Sequence, residues 1–188
     1  MKRILVAVVA VLMLAVSGVA MAQTSEPGPG HYNGALGFRH LAAPLGFRWW
    51  LPNQVWAIDA GIGFGSEPAG VGDEKLTHWA IDLGVPYRVA SWDRVHLLLR
   101  PGFFYTSSEA VATVSPFSTR TPTEWELSGE IEAEVYLVDN VSVSASTGLG
   151  FSSFDPDIAG VDSQTSFSTF GENFTSLGFH VYFFGGGK

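Results

Sequence analysis

Segment 123–154 constrains this chain more than any other stretch. There Trp125, Leu127, Ile131, Ala133 and Val135 alternate with Glu126, Ser128, Glu130, Glu132 and Glu134. Successive side chains of a β-strand point to opposite faces, so the alternation predicts one apolar face and one face rich in carboxylates. A soluble sheet would turn the apolar face inward and the carboxylates to bulk water. Here the pattern recurs in segment after segment, with aromatic ends and polar interiors. That repetition predicts an all-β chain built as an eight-stranded antiparallel up-and-down transmembrane β-barrel, apolar outside and polar inside.

The first residues read as a cleaved signal peptide, 1–22. Lys2 and Arg3 supply a basic start, 4–19 an apolar run, and Ala20-Met21-Ala22 a small-x-small cleavage site. Residues 23–31, rich in Pro, Gly and Ser, predict a flexible lead-in to a barrel domain at 32–184, with 185–188 as a tail. The chain has no cysteine, so backbone pairing and packing must supply all its stability. Its formal net charge of −8, more negative once Lys2 and Arg3 are removed, argues against nucleic acid and anionic lipid heads as partners. Beyond residue 22 no apolar run is long enough for a spanning helix, so any membrane crossing must be by strands.

Strands are expected at 32–40, 45–51, 55–64, 77–89, 95–107, 123–137, 141–154 and 174–184. The connections alternate between short and long. Pro52-Asn53-Gln54, Ser91-Trp92-Asp93 and Asp139-Asn140 read as tight turns, whereas 65–76, 108–122 and 155–173 read as long polar loops. In an outer-membrane barrel, short turns face the periplasm and long loops face outside. Only the first outer loop, 41–44, is expected to be short.

Parity along each strand assigns the two faces. The outward set includes Leu36, Phe47, Ile58, Leu83, Leu99, Ile131, Val143 and Phe179, and almost nothing polar. Aromatic residues collect near strand ends, where an amphipathic ring sits at headgroup level: Trp49, Trp56 and Tyr87 at one rim, and Phe64, Trp79, Tyr105, Trp125 and Phe151 at the other. The alternative is a soluble sandwich with those rings in its core. Pro86 and Pro101 fall inside expected strands, where each removes a ladder donor, and a bulge at Pro101-Gly102 is the expected accommodation.

Inward parity gathers a lumen charge network. Arg48, Asp59, Asp82, Arg100 and Glu130 fall near mid-height, Glu126 above them, and Glu132, Glu134, Arg88 and His96 below. Isolated charges in such a space are costly, so these groups should pair, Arg100 with Glu130 first. Eight strands enclose an interior just wide enough for side chains, so a network that plugs the lumen is the expectation, and a narrow cation-leaning pore the alternative.

No catalytic site, cofactor site or metal site is expected. His78, His96 and His180 are separate inward histidines without a Ser or Cys partner at a recognisable spacing, and zinc, phosphate-loop and nucleophile-elbow signatures are missing from the sequence. The loop acids Glu67, Asp73, Glu74, Asp155, Asp157, Asp162 and Glu172 match no calcium loop and read as a solvated surface.

With these segments in place, 32–184 resembles the small outer-membrane β-barrel family of the OmpA/OmpX kind. The likeness lies in architecture rather than in a motif. The closing segment, Leu177-Gly178-Phe179-His180-Val181-Tyr182-Phe183-Phe184, is similar to that family's terminal strand, although Gly185-Gly186-Gly187-Lys188 follows the usual terminal aromatic. The resemblance implies location in the outer membrane, outer-membrane lipid and lipopolysaccharide as surroundings, the barrel-assembly machinery as a partner, and a non-enzymatic structural or surface-interaction role with an unknown surface ligand. A lipid-modifying barrel enzyme and a soluble lipocalin-like binding barrel are the further alternatives.

Overall fold

The computed structural model describes residues 32–69, 75–111, 119–169 and 176–184. The expected signal peptide, lead-in and tail, and loop acids Asp73, Glu74 and Glu172, lie outside the described residues. Those residues are all-β and contain no helix. The strands are β1 (Gly34–Phe38), β2 (Leu45–Trp50), β3 (Ala57–Pro68), β4 (Lys75–Gly84), β5 (Tyr87–Trp92), β6 (Val95–Ser108), β7 (Ala110–Val111), β8 (Thr119–Arg120), β9 (Thr123–Val138), β10 (Val141–Asp155), β11 (Gln164–Ser168) and β12 (Ser176–Phe184).

Antiparallel pairing runs β1-β2-β3-β4-β6-β9-β10-β12 and returns to β1, a ring of eight strands. Closure leaves no edge along this circuit where the strands overlap, so the backbone donors and acceptors are satisfied within the ring. Three tight turns gather at one end. Trp92 pairs with Val95 around Asp93-Arg94, so that turn lies one residue later than expected; Val138 pairs with Val141 around Asp139-Asn140. In the third, Gln54 has φ 54°, and the Asn53 carboxamide oxygen accepts from the Val55 amide at 3.0 Å. This is the Asx geometry that suits Asn to turns.

The expected strand 77–89 is two strands, β4 and β5, both paired to β6 and separated at Val85-Pro86. The Val85 amide donates to the Pro101 carbonyl at 3.0 Å, and the register shift falls between Arg88 and Ala90. The expected bulge at Pro101-Gly102 is absent: β6 pairs with β9 without interruption from Val95↔Val135 to Ser107↔Thr123. Pro86, whose ring interrupts the ladder on the β4–β5 side, forces the break there, and inward parity continues past Pro101 to buried Phe104.

Two expected loops carry strands of their own. β11 folds back on the end of β10, pairing Gly150 with Ser168 through to Phe154 with Gln164, and β7 and β8 form a small ribbon between β6 and β9. The turn after β1 also departs from expectation. Rather than projecting as an outer loop, 40–44 bends into the ring, burying Ala43 and setting the His40 ring against Phe104, tilted by 51° with centroids 4.7 Å apart.

The two faces of the ring differ sharply. Leu36, Leu45, Ile58, Leu83, Ile131, Val143, Leu149, Leu177 and Phe183 are exposed on the outside. The interior instead buries Arg39, Arg48, Arg88 and Arg100 with six carboxylates. This is the reverse of a soluble fold, where large apolar side chains collect inside.

Candidate functional site

The interior network is built by register. Arg48 on β2 pairs with Asp59 on β3, and Arg100 on β6 pairs with Glu130 on β9, so each inward cation meets an inward acid across one ladder step. The Arg48 Nε donates to Asp59 Oδ1 at 2.8 Å, and its Nη2 to Asp59 Oδ2 at 2.8 Å and to Glu132 Oε1 at 2.9 Å. Arg100 spreads its planar fork over three strands. Its Nε donates to Asp59 Oδ2 at 3.0 Å, Nη1 to Glu130 Oε1 at 3.1 Å and Nη2 to Asp82 Oδ1 at 2.9 Å. Only guanidinium offers that many donors in one plane, so lysine would not replace it.

Glycine makes the fork possible. A Cβ on Gly84 would collide with the Arg100 guanidinium, and one on Gly102 would lie 2.7 Å from its Nη1. The side chain therefore occupies volume that both residues leave empty, directly over the backbone of β4 and β6.

Below this centre, Glu134 collects the lower groups. It accepts from Ser142 Oγ at 2.6 Å and Tyr182 Oη at 2.7 Å, and Arg48 Nη1 lies 3.4 Å from it. His96 Nδ1 and His180 Nδ1 each lie 3.9 Å from a Glu134 oxygen. The Ser142 hydroxyl thus donates to a carboxylate rather than to a histidine. Trp50, Leu98, Tyr136 and Tyr182 pack beneath, and Arg88 lies over the Trp50 ring at 4.4 Å from its centroid. These aromatics floor the turn end of the ring.

All ten residues expected in the network are buried inside: Arg48, Asp59, Asp82, Arg88, His96, Arg100, Glu126, Glu130, Glu132 and Glu134. Glu126 lies above the central cluster, in register with Phe104 on β6 and Ser152 on β10. His180 joins the network through Glu134, whereas His78 sits exposed on β4 near the loop end.

One member escaped the sequence reading. Arg39 is buried just past the end of β1 and forms ion pairs with Glu130 and, at 3.4 Å, with Asp82; its Nη2 also donates to Ser146 Oγ at 3.1 Å. Odd parity after Leu36 and Phe38 outward would have pointed to it. Its burial, however, depends on the inward bend of 40–44, which no local pattern announces.

Six carboxylates face four guanidinium groups in this interior. A small cavity of about 10 Å³, the size of one water molecule, is lined by the polar Arg39, Asp59, Asp82 and His180 and by Ala43, Phe47 and Ala60. Among the described residues, no group of three or more His, Asp or Glu is arranged to hold a metal ion. No family model matches the chain, and neither does any curated protein or solved structure.

Proposed function

We propose that the chain is a transmembrane β-barrel of the outer membrane, related in architecture to the OmpA/OmpX kind. In this reading its role is structural or surface-interacting rather than enzymatic, and its lumen is closed by the charge network. The observation that carries this reading is sidedness. A ring with exposed Leu, Ile, Val and Phe outside and a paired charge network inside suits a hydrocarbon surround and no aqueous one. The aromatic pairs Trp56–Tyr87 at the turn end and Trp79–Tyr105 and Trp125–Phe151 at the loop end fit two interfacial girdles. Lipid and lipopolysaccharide would then surround the wall, the barrel-assembly machinery would insert it, and the loops would meet a surface ligand.

A narrow pore is the second reading, favoured by the carboxylate excess, which would draw cations. Planar-bilayer recording of the refolded protein, with Arg100→Ala and Glu130→Ala, separates the two. A sealed lumen predicts silence from inserted wild-type protein. Discrete conductance altered by both substitutions would replace the sealed reading with the pore. Failure to float with vesicles after refolding would refute membrane insertion itself.

A further inference from the structure

The four interior guanidinium groups are not equivalent. Arg39, Arg48 and Arg100 each form ion pairs with three carboxylates. Arg88 on β5 forms none among the described residues. It keeps only 7 % exposure, and neither its Nε nor its Nη1 has a hydrogen-bond partner. Its one close contact of note is the Trp50 ring, 4.4 Å from the guanidinium carbon. A cation over an aromatic face uses the face of the guanidinium plane, whereas its N–H groups point outward within that plane. The Trp50 contact therefore leaves the donors unsatisfied.

A second unpartnered group stands beside it. Arg88 lies opposite Leu98 on β6, and the next inward residue of β6 is His96. His96 is 1 % exposed, its ring set edgewise to Trp50 and to Tyr136 with centroids 6.4 and 5.0 Å away. Neither ring nitrogen makes a hydrogen bond. A neutral imidazole still carries one N–H, whichever tautomer it adopts. Ser91 pairs directly with His96, and opposed residues share a face, so its hydroxyl belongs to the same inward patch.

The nearest acid is already engaged. Glu134 accepts from Ser142 and Tyr182 and faces Arg48, and it lies 3.9 Å from His96 Nδ1, beyond hydrogen-bond reach. Carboxylates outnumber guanidinium groups in the interior as a whole, yet at the turn end the unmatched group is a cation. Buried donors without acceptors are met in folded proteins by water or by an ion. Guanidinium has no acceptor, so an ion held there must be negative.

We propose that Arg88, His96 and Ser91 form an anion site at the turn end of the lumen, taking one small monovalent inorganic anion of the chloride class. An eight-stranded interior is only wide enough for side chains, which favours a small ion, and Glu134 would repel a polyvalent one more strongly. The site belongs to the interior and would exist whether or not hydrocarbon surrounds the wall.

The test uses the full chain refolded in zwitterionic micelles, with chloride NMR line broadening measured against protein-free micelles. Saturable excess broadening is expected. Arg88→Gln should weaken chloride binding about tenfold by removing the charge-assisted donors, and Arg120→Gln on β8 should leave it unchanged. His96→Phe keeps a ring against Trp50 and Tyr136, so it should fold and also weaken binding, which covers the case in which Arg88→Gln fails to fold by circular dichroism. Absence of saturable broadening, or equal binding by wild type and the folded variants, overturns the site and leaves its donors to water. Sulfate displacing chloride at lower concentration than bromide does overturns the assignment to a small monovalent ion. Flotation with vesicles is scored separately: chloride binding that depends on Arg88 in a chain that does not float would refute membrane insertion and keep the site.

Discussion

Removing the guanidinium of Arg100 tests the interior most directly. Arg100→Ala takes away one charge that serves Asp59, Asp82 and Glu130 at 2.9–3.1 Å, all three buried. Breaking a buried pair by deleting one partner costs ~3–5 kcal/mol, because the remaining charge stays desolvated. With an m-value of ~3 kcal/mol per molar in urea, the unfolding midpoint should fall by roughly 1–1.7 M. Arg120→Ala on β8, where no ion pair is formed among the described residues, should stay within ~0.5 kcal/mol of wild type. The assay is urea unfolding in lipid vesicles, followed by tryptophan fluorescence and run on both variants. In an Asp82→Asn background the cost of Arg100→Ala should shrink by ~0.5–3 kcal/mol, since one orphaned carboxylate is already gone. Equal losses for Arg100→Ala and Arg120→Ala, or a cycle with no coupling, would refute the network as a source of stability.

Leu83→Arg places a charge on the exposed outer face of β4, between Ala60 and Phe103, and should cost ~2–4 kcal/mol in the same vesicle assay if that face meets hydrocarbon. An unchanged midpoint would reverse the facing assignment. Gly84→Ala forces a methyl into the Arg100 guanidinium and should cost ~1–3 kcal/mol by overpacking; Arg100→Ala should remove most of that penalty, as a double-variant cycle would read. At the loop end of β4, the Thr77 hydroxyl and amide both donate to Glu109 Oε2 at 2.7 Å, the hydroxyl contributing more, and hold its carboxyl below the usual glutamate range. A lowered folded value means that this clamp is complete above the ordinary carboxylate range and is lost as pH falls through the lowered value. NMR titration of Glu109 should therefore give a midpoint below ~4.3, and one at or above it would show that the clamp does not form in solution.

Facing was legible in the sequence because it is a local property. A side chain two residues along a strand returns to the same face, so one anchored parity carries through each segment, as the burial of all ten expected network residues illustrates. Turn chemistry was legible for the same reason at Asn53-Gln54 and Asp139-Asn140, where short-range geometry suffices. The position of the break near the prolines was not. Both Pro86 and Pro101 lack a donor, and only the pairing partners of β6 decide which strand yields.

Alternation by itself therefore determined that these strands have an apolar and a charged face, and which residues occupy each. Tertiary structure alone decided that the ring closes β12 onto β1, that Arg39 reaches Ser146 across 107 positions of chain, and that Arg100 serves three acids at once. It also decided that turn 40–44 folds inward against Gly63 of β3. These are contacts between residues far apart in sequence. Their partners are selected by closure, strand length and the space left by glycine, none of which a period of two encodes.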